Sequence, residues 1–212
     1  QKNSLKFVKK VFTGGGPVFP SEAKLYQTAF PKANIHIVFG STEAEPISSI
    51  TSTELITQQD ELTKGLPVGE IYHKTQLKII PFVENSIPNM KEGELETLNQ
   101  EEEKLGEIIV TGNHVLKSYF NNPKAFERNK IITDKNIWHR TGDCGYLKNG
   151  QLYLTGRCEQ MIEHKEKKHS PFVMEYQLKQ FSEIKLGTVL LINNKLTAVL
   201  ESTSNLESLS KR

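Results

Sequence analysis

Apolar and polar positions alternate near the start of this chain in a pattern that predicts a strand, a helix and a second strand. Residues 5–12 alternate loosely between apolar and basic side chains, which is typical of a strand. A helix is expected at residues 20–30, with Ser21 as its cap and an end before a proline. The apolar, β-branched run at residues 35–39 predicts a buried strand that stops at Gly40. These elements predict one end of an α/β layer.

The middle of the chain changes to short apolar segments separated by turn residues. Residues 47–64 are polar and rich in Ser and Thr, and we expect a surface loop with a short helix there. Such spacing of short segments predicts an antiparallel sheet or a small barrel. The segments in question are Thr75–Pro81, Gly106–Gly112, Trp138–Leu147 and Gln151–Thr155. Asn149-Gly150 between the last two is a strong hairpin signal.

Two further segments lie between these strands. Residues 92–104 are acidic, and we interpret them as a solvated insertion without a function. Residues 119–128 predict the start of a helix. Asn122 would cap that helix and Pro123 would occupy its first position.

The composition changes again after Gly156, and we place a domain boundary at about Arg157. Residues 157–168 contain four Lys or Arg and three Glu and predict a polar hinge. The remaining predictions are a helix, an apolar hairpin and a frayed tail, at residues 171–181, 187–200 and 202–212. The predicted domains are therefore residues 1–156 and residues 157–212.

The composition of the 212 residues, with 36% hydrophobic and 25% charged residues, indicates an ordinary water-soluble protein. A net charge of +2 gives no reason to expect nucleic acid or a membrane surface as a partner. Cys144 and Cys158 lie 14 residues apart, fit no metal spacing and are expected to be reduced thiols of a cytoplasmic protein. No apolar run is long enough to span a bilayer. Because the chain starts at Gln1, in what resembles the middle of a fold, we expect it to be an excerpt.

Two short stretches carry candidate chemistry. Residues 14–17, Gly-Gly-Gly-Pro, leave the backbone open to a flat ligand, although a flexible turn is the alternative. Residues 40–43, Gly-Ser-Thr-Glu, would bring N–H groups, hydroxyls and a carboxylate to the carboxyl end of a sheet, where open α/β sheets bind ligands. The alternative for this second stretch is a helix cap or a turn.

These two stretches, together with residues 138–143 (Trp-His-Arg-Thr-Gly-Asp) and 153–157 (Tyr-Leu-Thr-Gly-Arg), resemble the adenylate-forming superfamily. This superfamily contains acyl- and aryl-CoA synthetases, adenylation domains of peptide synthetases and luciferases. Residues 65–69, 106–112 and 119–123 are similar to its motifs as well. The similarity extends from about Val11 to Glu175 and implies an AMP-forming acid ligase that uses ATP and Mg²⁺.

The resemblance implies a role for each matching residue. Gly14, Gly15 and Gly16 would lie along the adenine, and Phe39 would stack on it. Gly40 and Ser41 would belong to the nucleotide-binding set, in which Thr42 would bond the α-phosphate. Glu43 would help to hold Mg²⁺, so that Thr42 and Glu43 are the expected catalytic pair. Asp143 would bind both ribose hydroxyls, Arg157 would reach the ribose, and Glu159 would be the hinge of a lid.

The chain also departs from the family pattern. The phosphate-binding loop and the lysine near the C-terminus of the family are not recognisable, and Lys211 lies in no matching context. Glu166 occupies the position of a glycine that borders the pantetheine tunnel in CoA-forming members, which leaves CoA or another acceptor open. Residues 42–47 are similar to members that act on long-chain or β-hydroxy acyl groups, which suggests a fatty acid as the substrate.

The expected fold class is therefore α+β: the end of a mixed α/β sheet layer, a small distorted antiparallel β-barrel, and the beginning of a small α/β lid domain. The first functional hypothesis is an ATP-dependent acyl-adenylating ligase, present as a C-terminal-half fragment that is inactive alone. The alternative is a non-catalytic module that binds adenosine nucleotides or a partner. A β-rich structural module without a ligand is a third hypothesis.

Overall fold

The computed structural model describes residues 5–203, which form strands β1–β13 and helices α1–α5. The strands are Lys10–Thr13, Asn34–Ser41, Ala44–Thr51, Leu66–Ile71, Gln76–Ile80, Gly106–Thr111, Lys130–Ile132, Ile137–Lys148, Gln151–Arg157, Ile162–His164, Lys167–His169, Ile184–Ile192 and Lys195–Ser202. The helices are Pro20–Ala29, Ser52–Thr57, Glu92–Thr97, Pro123–Asn129 and Pro171–Leu178. Short 3₁₀ helices occupy Gln59–Thr63 and Cys158–Gln160.

Nine strands form one mixed sheet with the order β1-β2-β3-β4-β9-β8-β6-β5, and β7 pairs with β8. The β1–β2 pair is parallel, whereas the other pairs of this sheet are antiparallel. Within residues 5–203 the sheet ends at β1 and β5 and does not close. The separate small barrel that we expected is therefore replaced by an open sheet, because β3 and β4 join the α/β end to the later strands.

The surface loop expected at residues 47–64 is wrong for its first part, because the segment at residues 44–51 is extended. It forms β3, which turns back from β2 and pairs with it antiparallel, with Val38 opposite Ser49. Ile47, Ser48 and Ile50 are buried, and Ser48 Oγ donates to Val68 O at 2.9 Å. The polar Ser48 can therefore lie in a buried strand, because its hydroxyl donates a hydrogen bond to a backbone oxygen. Strands β4, β7, β10 and β11 were also not predicted.

The core lies on both faces of the sheet, and β6 shows the division. Ile108 and Val110 contribute to the larger core cluster, while Ile109 contributes to a smaller one with Trp138 and Leu95. Successive side chains of a strand point to opposite faces, so a strand that is covered twice is apolar at consecutive positions. This arrangement explains the uninterrupted Ile-Ile-Val run of the sequence.

The acidic segment after residue 91 is not a solvated insertion. Its first turns form α3, whose Leu95 is fully buried in the smaller core cluster. Glu92 accepts hydrogen bonds from Trp138 Nε1 at 3.1 Å and from Thr133 Oγ1 at 2.5 Å. Burial raises the pKa of Glu92, but these hydrogen bonds outweigh it and lower that pKa from its ordinary value. The Glu92 carboxylate thus anchors α3 to the edge of β8.

The predicted start of α4 is confirmed, whereas the predicted cap of α1 is wrong. Asn122 caps α4 by accepting a hydrogen bond from Ala125 N at 3.1 Å, and Pro123 is the first helical residue. In α1 the cap position belongs to Phe19, and its N–H donates to the Glu22 carboxylate at 3.0 Å. A Glu at the third helical position can satisfy the first N–H without a polar cap residue.

Replacement of Asn122 by alanine is expected to lower the free energy of unfolding by about 1 kcal/mol, because the helix loses its side-chain cap. The matched control is Asn122→Asp, which keeps an acceptor oxygen and adds a charge that favours a helix N-terminus. Urea denaturation of the three proteins measures the effect. Equal midpoints for the alanine variant and the parent chain would contradict the assigned role of the cap.

Residues 157–203 contain a short hairpin, a helix and a longer hairpin. The polar stretch that we expected to be a solvated hinge forms β10 and β11, and Lys165 and Glu166 at their turn have positive φ of 51° and 60°. Such values favour glycine, so Glu166 occupies a position that is strained for its side chain. The predicted apolar hairpin is confirmed as β12 and β13. Residues 204–212, which include most of the predicted frayed tail and Lys211, lie outside the described residues.

Helix α5 packs against the first part of the chain through aromatic rings. Phe19 stacks on Tyr176 with ring centroids 4.6 Å apart and lies 5.5 Å from the ring of Phe172. A Cβ added at Gly156 would lie 2.9 Å from Phe172 Cβ, so the strand must have a glycine there.

The domain boundary at Arg157 remains a prediction. None of the helices between residues 5 and 203 has the length and apolar character needed to cross a bilayer.

Candidate functional site

A cavity of about 320 Å³ lies where β1 and β2 end, beside the end of β9 and the middle of β8. Six of the residues predicted to bind a nucleotide line it, together with the Leu66–Val68 segment and Phe172. The six are Gly15, Gly16, Phe39, Gly40, Asp143 and Arg157. Residues that are more than 120 positions apart in the sequence are thus brought to one site. We call this space the first cavity.

The close approach of β1 and β2 depends on Gly14. The two strands run in parallel, with Thr13 paired to Ile37, so the chain after β1 passes directly beside Val38. A Cβ at Gly14 would lie 2.6 Å from Val38 O, which is too close for any side chain. Gly14 therefore does not line the cavity but brings Gly15 and Gly16 to its edge.

Asp143 is the carboxylate at the wall of the first cavity. It lies in β8 opposite Arg157 of β9, and its Oδ1 is 3.2 Å from Arg157 Nη1. The Asp143 side chain is 14% exposed and that of Arg157 is 54% exposed. Burial raises the pKa of Asp143 to about 6, although Arg157 lowers it; Glu107 adds to the increase. A carboxylate in this setting gains from any ligand that offers it hydroxyl donors.

Arg157 lies between the first cavity and a second, larger one. Its Nη1 also donates to Thr141 O at 3.1 Å, which orients the guanidinium across the middle of β8. The second cavity has a volume of about 770 Å³, and both carboxylates and cations line it. Ser41, Glu43, His139, Arg157, Glu159 and Lys168 are among its lining residues.

Glu43 lines the second cavity and is held through both its side chain and its backbone. Its Oε1 accepts a hydrogen bond from Tyr119 Oη at 3.2 Å, and its backbone O accepts one from Leu116 N at 2.7 Å. Burial raises the pKa of Glu43, but its own backbone N–H, the nearby imidazole of His139 and the Tyr119 hydroxyl together lower that pKa below its ordinary value. Glu43 is therefore ionised at neutral pH.

Two basic groups near Glu43 are buried. Burial lowers the pKa of Lys130 to about 8, against the attraction of Glu43, and Lys117 adds to the decrease. Burial also lowers the pKa of His139 to about 4, with Lys130 as the next cause. His139 is consequently neutral at pH 7, and its Nδ1 lies 3.3 Å from Asn129 O. Two buried basic groups thus lie near the Glu43 carboxylate, and of these two His139 lines the second cavity.

Thr42 does not line either cavity. It is exposed at the turn between β2 and β3, next to Glu43. The structure gives a direct reason, since Ser41 pairs with Ala44 and this tight turn points residue 42 outward. The predicted role of Thr42 at an α-phosphate is therefore not supported by a cavity contact, whereas Ser41 and Glu43 do line the second cavity.

Several lining residues were not singled out from the sequence. Phe172 follows the cap of α5 and reaches the first cavity only because α5 packs on β9. Arg128, Asn129 and His139 line the second cavity through α4 and β8. Tyr119, which contacts Glu43 but lines neither cavity, had a signal because it belongs to one of the supporting family-like runs. His139 belongs to the Trp-His-Arg-Thr-Gly-Asp run, although no role was predicted for it there. Phe172, Arg128 and Asn129 had no such signal.

In the described part of the chain, side chains alone do not form a complete set of ligands for a metal ion. Among residues 5–203, no group of three or more His, Cys, Asp and Glu side chains is placed to hold a metal ion. Mg²⁺ commonly uses one or two carboxylates and completes its shell with waters and phosphate oxygens. A single ionised Glu43 fits that mode of binding.

The sequence is similar to curated proteins of bacteria. It is 32% identical over 155 residues to the D-alanine–D-alanyl carrier protein ligase of Bacillus cytotoxicus, which covers 73% of this chain and 28% of the relative. The chain therefore spans about a quarter of the length of the curated relatives that it matches. A scan against models of protein families gave no match.

Solved structures have the same fold. The unliganded O-succinylbenzoate coenzyme A synthetase of Bacillus subtilis superposes with a TM-score of 0.72 at 23% identity, over 99% of this chain and 42% of that one. The amide bond synthetase McbA of Marinactinospora thermotolerans gives a TM-score of 0.68 at 18% identity, over 93% of this chain and 38% of that one. The Bacillus subtilis enzyme has also been solved with ATP and a magnesium ion, in a structure that gives a TM-score of 0.67 at 24% identity and covers 96% of this chain and 39% of that one.

Proposed function

Since this chain belongs to the adenylate-forming superfamily, we propose that it supplies the adenosine-binding half of an ATP-dependent, acid-activating ligase. The observation that carries the proposal is the convergence of Asp143, Phe39 and the Gly15–Gly16 backbone on the first cavity. One wall offers a carboxylate, another an aromatic ring, and a third an open backbone. A nucleoside matches these three features with its ribose hydroxyls and its flat base.

In this proposal each wall of the first cavity binds one part of the nucleoside. The ribose hydroxyls donate to Asp143, and hydrogen bonds to a charged group contribute about 1.5–3 kcal/mol each. The adenine lies against the glycine backbone and the ring of Phe39. Arg157 stays paired with Asp143 and reaches the ribose from the side of the second cavity. Phe172 closes the cavity on the side of α5.

The second cavity is where the reaction would take place. In acyl adenylation an oxygen of the acid's carboxylate bonds to the α-phosphorus of ATP, and the bond from that phosphorus to pyrophosphate breaks. Bound Mg²⁺ would neutralise charge on the phosphate oxygens, and Glu43 is the residue that would hold it. The residues of this chain contribute positioning and charge rather than a covalent bond. Glu159, at the junction with residues 160–203, remains the proposed hinge.

The proposed substrate is a carboxylic acid, and the proposed acceptor is a carrier protein or CoA. The relatives are named for D-alanine and O-succinylbenzoate, so activation of a carboxylic acid is the shared chemistry. A fatty acid remains a prediction from residues 42–47 alone, and no relative described above is named for one. The acceptor, a carrier protein or CoA, differs between these relatives. We propose transfer to a thiol-bearing acceptor without choosing between them.

A second candidate is a module that binds adenosine nucleotides without turnover. The exposed position of Thr42, outside both cavities, favours this candidate. The two functions differ in one measurable reaction, the exchange of pyrophosphate into ATP in the presence of a carboxylic acid. The exchange is measured in this chain and, where the chain is encoded within a longer polypeptide, in that polypeptide. Nucleotide binding without exchange in the longer polypeptide would favour the second candidate, because the first candidate already expects this chain to be inactive alone.

The test of the adenosine site is thermal denaturation with a non-hydrolysable acyl-adenylate analogue. At 100 times its Kd the analogue should add about 2.7 kcal/mol to the free energy of unfolding. We expect Asp143→Ala to abolish this shift. Asp60→Ala is the matched control, because Asp60 is exposed and lines neither cavity. A shift of equal size in the Asp143 variant would contradict the proposed site.

A further inference from the structure

Three side chains lead to Glu43 in a chain of hydrogen bonds that all run in one direction. Arg128 Nε donates to Asn129 Oδ1 at 3.1 Å, and Asn129 Nδ2 donates to Tyr119 Oη at 3.3 Å. Tyr119 Oη then donates to Glu43 Oε1 at 3.2 Å. Arg128, Asn129 and Glu43 all line the second cavity.

The direction of the chain follows from the chemistry of its members. A guanidinium can only donate, so the side-chain oxygen of Asn129 must face Arg128 and its NH₂ group must face Tyr119. That NH₂ group occupies an acceptor site of the Tyr119 oxygen. A tyrosine hydroxyl has a single hydrogen, and an ionised carboxylate can only accept. The hydrogen of Tyr119 is therefore directed to Glu43.

The same short segment also fixes Glu43 through the backbone. Leu116 N donates to Glu43 O at 2.7 Å, three residues before Tyr119. Lys130 Nζ donates to Leu116 O and lies 5.3 Å from the centre of the Tyr119 ring. Lys130 is 3% exposed, so this support is built into the core rather than onto the surface. Both the main chain and the side chain of Glu43 are thus held by residues 116–119.

We propose that Tyr119 is a positioning residue that fixes one oxygen of Glu43 and leaves the other directed at a divalent metal ion in the second cavity. Asn129 and Arg128 support it by keeping the tyrosine hydrogen directed at the carboxylate. Hydrogen bonds in such a series polarise one another, so the last acceptor gains from the earlier donors. This inference rests on the proposed role of Glu43 in binding the metal.

The experiment uses Mn²⁺ as the probe, titrated into the chain with ATP and followed by electron paramagnetic resonance. Tyr119→Phe removes the hydroxyl and keeps the ring, and we expect it to raise the Mn²⁺ dissociation constant about tenfold, the lower end of the effect of losing a bond to a charged group. Asn129→Ala should raise it by a smaller factor. Tyr26→Phe is the matched control, because Tyr26 lies on α1 and lines neither cavity.

A second readout separates positioning from general loss of structure. In infrared spectra of the metal-free protein, the carboxylate band that disappears in Glu43→Gln belongs to Glu43. We expect this band to shift in Tyr119→Phe and to stay in place in Tyr26→Phe. A merely structural role would lower the thermal midpoint without moving the band.

The outcomes distinguish this inference from the proposed function. If the parent chain and the Tyr119→Phe variant bind Mn²⁺ equally well, the positioning role is overturned and the proposed function remains intact. Absence of Mn²⁺ binding in the parent chain would overturn both the metal role of Glu43 and the inference. Weaker Mn²⁺ binding in Tyr119→Phe with an unshifted Glu43 band would also overturn it, because the hydrogen bond would then not be the cause.

Discussion

Replacement of Asp143 by asparagine is expected to make the chain more stable at pH 7.5, by roughly 2 to 3 kcal/mol, while it abolishes nucleotide binding. The reason is the pKa of Asp143, which burial raises from 3.8 to about 6. Between about pH 4 and pH 6 the folded protein binds more protons at this group than the unfolded chain does. Stability from this group is therefore present at low pH and is lost as the pH rises through 6.

The measurement is the free energy of unfolding of both proteins in urea at several values between pH 4 and pH 8. The difference between the two curves isolates Asp143, since all other groups titrate in both proteins. We expect the curves to converge near pH 4 and to separate up to pH 7. Parallel curves would contradict a raised pKa. Asp60→Asn serves as the control, because it changes an exposed carboxylate.

The same carboxylate would thus cost stability in the free protein and bind the ligand in the complex. An ionised acid at 14% exposure is poorly solvated, and one partly exposed arginine does not compensate fully. The ribose hydroxyls of a bound nucleotide would donate hydrogen bonds to the Asp143 carboxylate that the free protein does not provide. Nucleotide affinity is accordingly expected to fall below pH 6, as Asp143 becomes protonated.

Replacement of Glu107 by glutamine is expected to lower the free energy of unfolding by about 3–5 kcal/mol. Glu107 and Arg140 form an ion pair whose side chains are 4% and 8% exposed, with Arg140 Nη2 at 2.7 Å from Glu107 Oε2. Arg140 Nε donates to both oxygens of the carboxylate at 3.1 Å. The neutral amide would leave a buried guanidinium without its counter-ion.

The matched control is Glu163→Gln in the hairpin of β10 and β11. Glu163 pairs with Lys168 at 3.4 Å, but the two side chains are 70% and 39% exposed. Exposed pairs of this kind contribute at most about 1 kcal/mol. Urea midpoints at an unchanged m-value give both effects. Equal losses in the two variants would show that burial does not decide the contribution of the Glu107–Arg140 pair.

Glu107 and Arg140 themselves line the second cavity, so a loss of nucleotide binding in Glu107→Gln would combine lost stability with a changed cavity wall. Arg140 also donates to the backbone oxygens of Asn85, at 2.7 Å, and of Val83. These contacts hold a loop that lines the second cavity. The arginine of the Trp-His-Arg-Thr-Gly-Asp run thus supports the wall of the site, in contrast to the aspartate three residues later, which faces the first cavity.

The sequence alone determined the local elements whose signals depend on neighbouring residues. The cap of α4 at Asn122, the hairpin at Asn149-Gly150 and the apolar hairpin of β12 and β13 all follow from short-range chemistry. The site residues Asp143 and Arg157 were found because their motif resembles that of a known family, and not from periodicity. Their roles remain predictions, although the structure brings both to one cavity.

Only the tertiary structure decided which polar residues are buried and which strands join. Residues 47–51 belong to the predicted loop at residues 47–64, yet they form part of β3, in which Ser48 Oγ donates to Val68 O of the neighbouring strand. Glu92 belongs to an acidic run, yet its carboxylate is bound by Trp138. Hydrogen bonds between residues 20 to 46 positions apart leave no periodic signal in the sequence. For the same reason the support of Glu43 by Tyr119, 76 positions later, required the folded chain.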